Sequence, residues 1–193
     1  MGSVGTPVYA LLPVRTGAAR AEAAALVQEA VRQLADQGID YPADQLVDLV
    51  QSQATVTGLY DEGELTGCLV VHPGEDRPHW SRAFPGTGLL VSVVPPVPGR
   101  DDQAARLLTL WLADRAAQHC LEWIWWEVPA GLQRRTTLLA LLRDLGWEDL
   151  PPVRRADGQR VTPLRLRADR RPAPTVAIFA SADALPLPTV RAR

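Results

Sequence analysis

Residues 88–94, Gly-Leu-Leu-Val-Ser-Val-Val, form a nearly continuous apolar run followed by a proline pair. A strand with one wet face alternates apolar and polar residues. A run without alternation needs apolar cover on both faces. The segment therefore reads as a central strand, and the rest of the chain has to supply a sheet around it with helices on both sides.

The flanking sequence offers those parts. Residues 8–14 are a short apolar run ended by Pro13 and Thr16-Gly17, a first strand. Residues 18–37 place Ala23, Leu26, Val27, Ala30, Val31 and Leu34 on helical spacing, with Thr16 as N-cap and Gly38 in the left-handed position past the end. A second helix is expected over 42–53, with Pro42 in its first turn. The period then changes. Residues 55–60 and 65–72 read as strands joined by Asp61-Glu62-Gly63-Glu64, a hairpin. After the apolar run and a proline-rich loop, the pattern predicts a helix over 101–120. A strand over 122–128 with three tryptophans and a helix over 135–145 stopped by Gly146 follow. Strands over 147–150 and 161–167 close the domain, with a turn at Asp157-Gly158. The fold class is α/β, a mixed central sheet flanked by helices on both faces. Residues 1–168 form the domain. Residues 169–193 hold four prolines and read as a tail, either a disordered end or one in which 175–180 adds an edge strand to this sheet or to that of a partner subunit in a homodimer.

Composition removes several function classes. The chain has 20 basic residues, all of them Arg, and neither Lys nor Asn. A GC-rich bacterial coding bias accounts for both absences, and the result excludes Schiff-base and P-loop chemistry. A net charge of −2 gives no overall basic excess for nucleic acid or a membrane surface. Two cysteines cannot build a disulfide framework. Residues 1–6 lack the basic start and apolar core of a signal peptide, so a cytoplasmic compartment is expected.

The order of elements, the strand-turn-helix over 89–112, and the helix end Leu142-Arg143-Asp144-Leu145-Gly146-Trp147 together resemble the GCN5-related N-acetyltransferase (GNAT) family, over about residues 8–167. The last segment looks like that family's Tyr-x-x-x-Gly-Phe helix end. The resemblance implies acetyl-coenzyme A as cosubstrate and acyl transfer to an amine. It implies that the strand end at Val93 and Val94 offers backbone groups to the pantetheine arm. It also implies that Arg100, Gln103 and Ala104, at the following loop and helix start, hold the pyrophosphate through orphan amides and the helix dipole. Two residues depart from the family pattern. Asp102 falls where the loop carries glycine, which adds a Cβ and a carboxylate next to an anion. Leu142 stands where a tyrosine often protonates the leaving thiolate.

The tryptophan strand then acquires a candidate role. Alternation puts Trp123, Trp125 and Glu127 on one face and Ile124 and Trp126 on the other. The indoles either fill the core or line an acceptor pocket, with Trp125 as its wall and Glu127 as general base or amine clamp. His79 and Trp80, in the loop before the apolar run, are candidate substrate contacts. Cys68, His72 and His79 lack the spacing of a metal site, and none is expected. Ser92 has no nucleophile elbow around it. The charge balance favours a small-molecule amine over nucleic acid or membrane as partner. The alternative reading is a GNAT-fold protein that no longer acylates and serves as a binding or assembly module.

Overall fold

The computed structural model describes residues 9–36, 38, 43–52, 55–72, 86–94, 102–129, 137–155, 158–170 and 178–180. In chain order they form β1 (Tyr9–Pro13), α1 (Gly17–Asp36), α2 (Ala43–Gln51), β2 (Thr55–Asp61), β3 (Glu64–Val71), β4 (Gly88–Val94) and α3 (Asp102–Gln118). Then follow β5 (Trp123–Pro129), α4 (Thr137–Asp144), β6 (Glu148–Asp149), β7 (Val153–Arg154), β8 (Arg160–Arg167) and β9 (Ile178–Ala180).

Local chemistry sets the boundaries. The Ala19 N–H donates to Thr16 Oγ1 at 3.1 Å, so Thr16 caps α1 as its sequence position predicts. Beyond the far end of that helix, Gly38 takes φ 74°. The β2–β3 hairpin turns through Glu62 at φ 49° and Gly63 at φ 90°. Positive φ at both central residues is the turn whose twist matches a two-residue hairpin. Helix α4 ends with the Trp147 N–H on the Leu142 carbonyl at 3.0 Å and the Gly146 N–H on the Arg143 carbonyl at 2.9 Å. Those two bonds satisfy carbonyls the helix would otherwise leave bare.

The strands make one mixed sheet in the order β6-β8-β5-β4-β3-β2-β1-β9, with β7 also on β8. The apolar run, β4, sits inside it, antiparallel to β3 and parallel to β5. Helix α3 is the crossover that a parallel pair needs. Alternation along the strands divides the core. Leu69, Val71, Val91, Val93, Ile124, Trp126 and Val128 point to the side where Leu108, Trp111 and Leu112 of α3 and Leu139 and Leu142 of α4 pack. Val56, Cys68 and Val70 point to the other side, under Ala23 and Val27 of α1 and Leu46 and Val50 of α2. Helices thus lie on both faces.

One short strand lies outside the sequence expectation, and another falls within the edge segment expected over 175–180. β7 pairs with β8 across the turn that Gly158 makes at φ 86°. Ile178–Ala180 pair in parallel with β1 of the same chain, at the edge of its own sheet. The expected strands over 147–150 and 161–167 are found as β6 and β8 with slightly different ends.

On one side of β5 no helix packs among the described residues. Trp125, 1% exposed, packs there with Leu90 and Leu150, and partly buried Trp123 and Val153 complete the cluster. Its ring lies on Gly88, where an added Cβ would meet indole carbons at 2.7–2.9 Å. Gly88→Ala should therefore destabilise the fold by about 1–3 kcal/mol, the usual cost of overpacking a filled site, as read by chemical denaturation.

Candidate active site

β4 and β5 run side by side only part of their length. Their rungs are Gly88–Trp123, Leu89–Ile124, Leu90–Trp125 and Val91–Trp126. Beyond that, Ser92, Val93 and Val94 pair only with β3, and Glu127, Val128 and Pro129 pair only with β8. The sheet forks at Val91 and Trp126.

The direction of the backbone groups at the fork follows from bonds lower on the strands. The His72 N–H donates to the Leu90 carbonyl at 3.0 Å, so Leu90 turns its backbone groups toward β3. The Trp123 N–H donates to the Thr87 carbonyl at 3.1 Å, so Thr87 turns toward β5. Alternation along a strand then turns Val91 and Val93 toward β5, and Ser92 and Val94 toward β3. On β5, the Ala168 N–H bonds the Glu122 carbonyl at 2.9 Å, which turns even-numbered residues to β8 and Glu127 to the gap. Val93 and Glu127 thus present backbone groups across an opening that no ladder rung closes. Of the two strand-end residues singled out from the sequence, Val93 faces that opening and Val94 faces β3.

The side chains divide by face. Val93 and Trp126 go to the α3–α4 side, and Ser92 and Glu127 go to the other. The Glu127 carboxylate lies 3.0 Å from the Arg155 guanidinium, and its side chain is 9% exposed. It is a nearly buried negative charge held in place at the mouth of the fork. Trp125, two residues before it on the same face of β5, forms the floor, closed to solvent. Trp123 is more open, with the Arg165 guanidinium 4.5 Å above its ring. That arginine also binds Glu148 at 2.6 Å, and Arg170 faces Asp114 at 3.6 Å. Both are engaged at protein carboxylates.

The remaining candidates fall as follows. Asp102, Gln103 and Ala104 are the first three residues of α3, the end where a helix favours anions. Arg100, His79 and Trp80 lie outside the described residues. Leu142 is 4% exposed in the core between α4 and the sheet and has no proton to give. Among the described residues no group of three His, Cys, Asp or Glu gathers as a metal site, and no helix is long and apolar enough to cross a membrane.

Cys68, 2% exposed, is sealed under α1, and burial pushes its thiol up to about 12. At pH 8 that leaves a thiolate fraction of roughly one in 10⁴, and the thiolate is the reactive form. Exposed Cys120 should account for the only thiol that reacts quickly with an aromatic disulfide reagent in the native protein. The second should appear only on unfolding.

The structure also joins two residues that the sequence leaves apart. His72 Nε2 lies 2.8 Å from Ser92 Oγ. They are twenty positions apart, and only the register of β3 against β4 brings them together. The signal available in sequence was two polar residues at the rims of apolar strands.

No protein-family model matches the chain, and no curated protein matches it in sequence. Solved structures do. The ribosomal-protein-S18-alanine N-acetyltransferase from Escherichia coli is similar at 13% identity and TM-score 0.57, over 86% of this chain and 97% of that one. FeeM, an N-acyl amino acid synthase from uncultured soil microbes, is similar at 13% identity and TM-score 0.58, over 90% and 96%. The spermidine N-acetyltransferase from Vibrio cholerae, in complex with CoA and spermine, gives 12% identity and TM-score 0.55, over 83% and 95%. The likeness is one of fold. The chain carries the GNAT fold that its element order and helix end predict.

Proposed function

We propose that this chain, built on an N-acyltransferase fold, moves an acetyl or related acyl group from a coenzyme A thioester to the amine of a small molecule. The observation that carries the reading is the fork between β4 and β5, with the backbone of Val93 turned into it. A strand edge with an unused N–H and C=O accepts an extended, amide-bearing arm as a further strand would be accepted. The same N–H is placed to polarise a thioester carbonyl. At the far end of the arm, the amides at the start of α3, around Gln103 and Ala104, face the pyrophosphate, with Arg100 as the basic residue that precedes them in sequence. Acceptor binding falls on the opposite side of the fork. There Glu127, fixed by Arg155, draws in an ammonium group over the tryptophan floor, with His79 and Trp80 as candidate walls.

Titration calorimetry with acetyl-coenzyme A and with free coenzyme A tests this directly. Heat and a thermal upshift at millimolar ligand or below are expected. No heat and no shift would defeat the acyltransferase reading and leave the binding-module reading, which Leu142 and Asp102 favour. Asp102→Gly removes a carboxylate from the anion end of α3 and should tighten coenzyme A binding about tenfold, equivalent to about 1.4 kcal/mol.

A further inference from the structure

The acyl-transfer reading leaves the deprotonation of the amine without an owner, and the polar pair His72–Ser92 stands where that work is done. Ser92 is the first β4 residue past the last rung, and it projects to the side of the sheet that Glu127 shares. His72, just past the end of β3, lies opposite Leu90, two residues before Ser92 on the same face, with its Nε2 2.8 Å from Ser92 Oγ. Among the described residues, the neighbours on this face are these. Leu90 and Trp125 belong to the tryptophan cluster, and Val70 and the high-lying Cys68 thiol belong to the α1–α2 core. Glu127 lies on the same face, held by Arg155. The hydrogen-bonded hydroxyl and imidazole stand at the mouth of the fork, on the face that Glu127 shares, where a proton leaving the acceptor has a path through one to the other.

We propose that Ser92 contacts the attacking amine and passes its proton to His72, which acts through it. This rests on the acyl-transfer reading. The amine nitrogen forms the C–N bond to the thioester carbonyl carbon, and the C–S electron pair leaves on the thiolate sulfur. The ammonium gives one proton to Ser92 Oγ as the Ser92 proton moves to His72 Nε2, which frees the attacking lone pair, and the nitrogen loses its second proton to solvent once the C–N bond has formed. The imidazolium then releases that proton to solvent, and the thiolate takes one from solvent. Glu127 supplies attraction for the incoming ammonium, and the His72–Ser92 pair supplies the proton path.

The test follows thiol release from saturating acetyl-coenzyme A, with water and with spermidine as acceptors, in the full chain. Acetyl-coenzyme A affinity is measured separately by calorimetry. His72→Ala and Ser92→Ala should each lower thiol release by about 10²-fold or more, the usual share of a general base. Their affinities should stay within twofold of wild type. The double variant should be no worse than either single, because the two act as one unit. Imidazole added to His72→Ala should restore a measurable part of the rate, and imidazole added to Ser92→Ala should not. His72→Gln replaces the alanine variant if that fails to fold. Release within threefold of wild type in His72→Ala, or losses that multiply in the double variant, would overturn the relay. Wild-type protein that binds acetyl-coenzyme A but releases no thiol to either acceptor also overturns it, with coenzyme binding left intact. Absence of binding in wild type defeats the acyl-transfer reading itself.

Discussion

Val93→Pro is expected to stop turnover while leaving the sheet standing. Proline removes one N–H and fixes φ. In most central strands that breaks a ladder. At Val93 the lost N–H points into the fork, because Leu90 turns its groups to β3 and alternation turns Val93 the other way. The β3–β4 ladder keeps its bonds, so the stability cost comes only from trimming a side chain that is 8% exposed in the α3–α4 core and from restricting Ser92. A thioester carbonyl polarised by this N–H loses its donor at the moment charge develops. Removing one such donor lowers kcat by about 10²–10³-fold, whereas ground-state binding loses only the net worth of a neutral hydrogen bond, up to about 1.5 kcal/mol. Val94→Pro is the matched control. Its N–H faces β3, so it should lower the melting temperature more and kcat less. Steady-state kinetics beside thermal melts decide the matter. A kcat within tenfold of wild type in Val93→Pro would show that the N–H at the fork polarises nothing.

The same residue shows what the sequence could and could not tell. β4 was legible to its ends because seven residues with almost no alternation admit one environment, a strand covered twice. The helix ends were legible because Thr16, Gly38 and Gly146 have local reasons to be where they are. The face assignment along β5 followed from period two and holds, with Trp126 under α3 and α4 and Trp125 opposite. The fork itself, however, is a statement about rungs that do not form. No residue type encodes it, since Val93 would read the same in a closed ladder. His72 and Ser92 were unreadable for a related reason. Each is ordinary alone, and their 2.8 Å approach depends on a register set by the whole hairpin. The two-residue strands β6 and β7 are too short to carry a period, and β9 joins the far edge of the sheet through a pairing no local pattern announces.

Trp125→Ala should be among the most damaging substitutions in the chain, for stability first and for acceptor binding second. On the other side of the sheet, α3 and α4 would close over a truncated residue. Around Trp125 no helix packs among the described residues, and Leu90, Leu150, Trp123 and Val153 cover it. Neighbours anchored on strands and a short connection collapse poorly into a hole, which places the cost in the usual Trp→Ala range of about 3–5 kcal/mol. For a chain of this length that lowers the melting temperature by roughly 10 °C. The hole opens two residues below Ser92 and Glu127, on their face. KM for the amine acceptor should therefore rise while acetyl-coenzyme A affinity, set on the other side of the fork, stays near wild type. Trp125→Phe should fall between the two, and it relieves the contact that makes Gly88→Ala costly. The double variant Gly88→Ala, Trp125→Phe should then be more stable than the sum of its singles by at least about 0.5 kcal/mol, the coupling expected of residues in contact. Strict additivity, or a Trp125→Ala cost below about 1 kcal/mol, would mean that the indole fills no space the fold depends on.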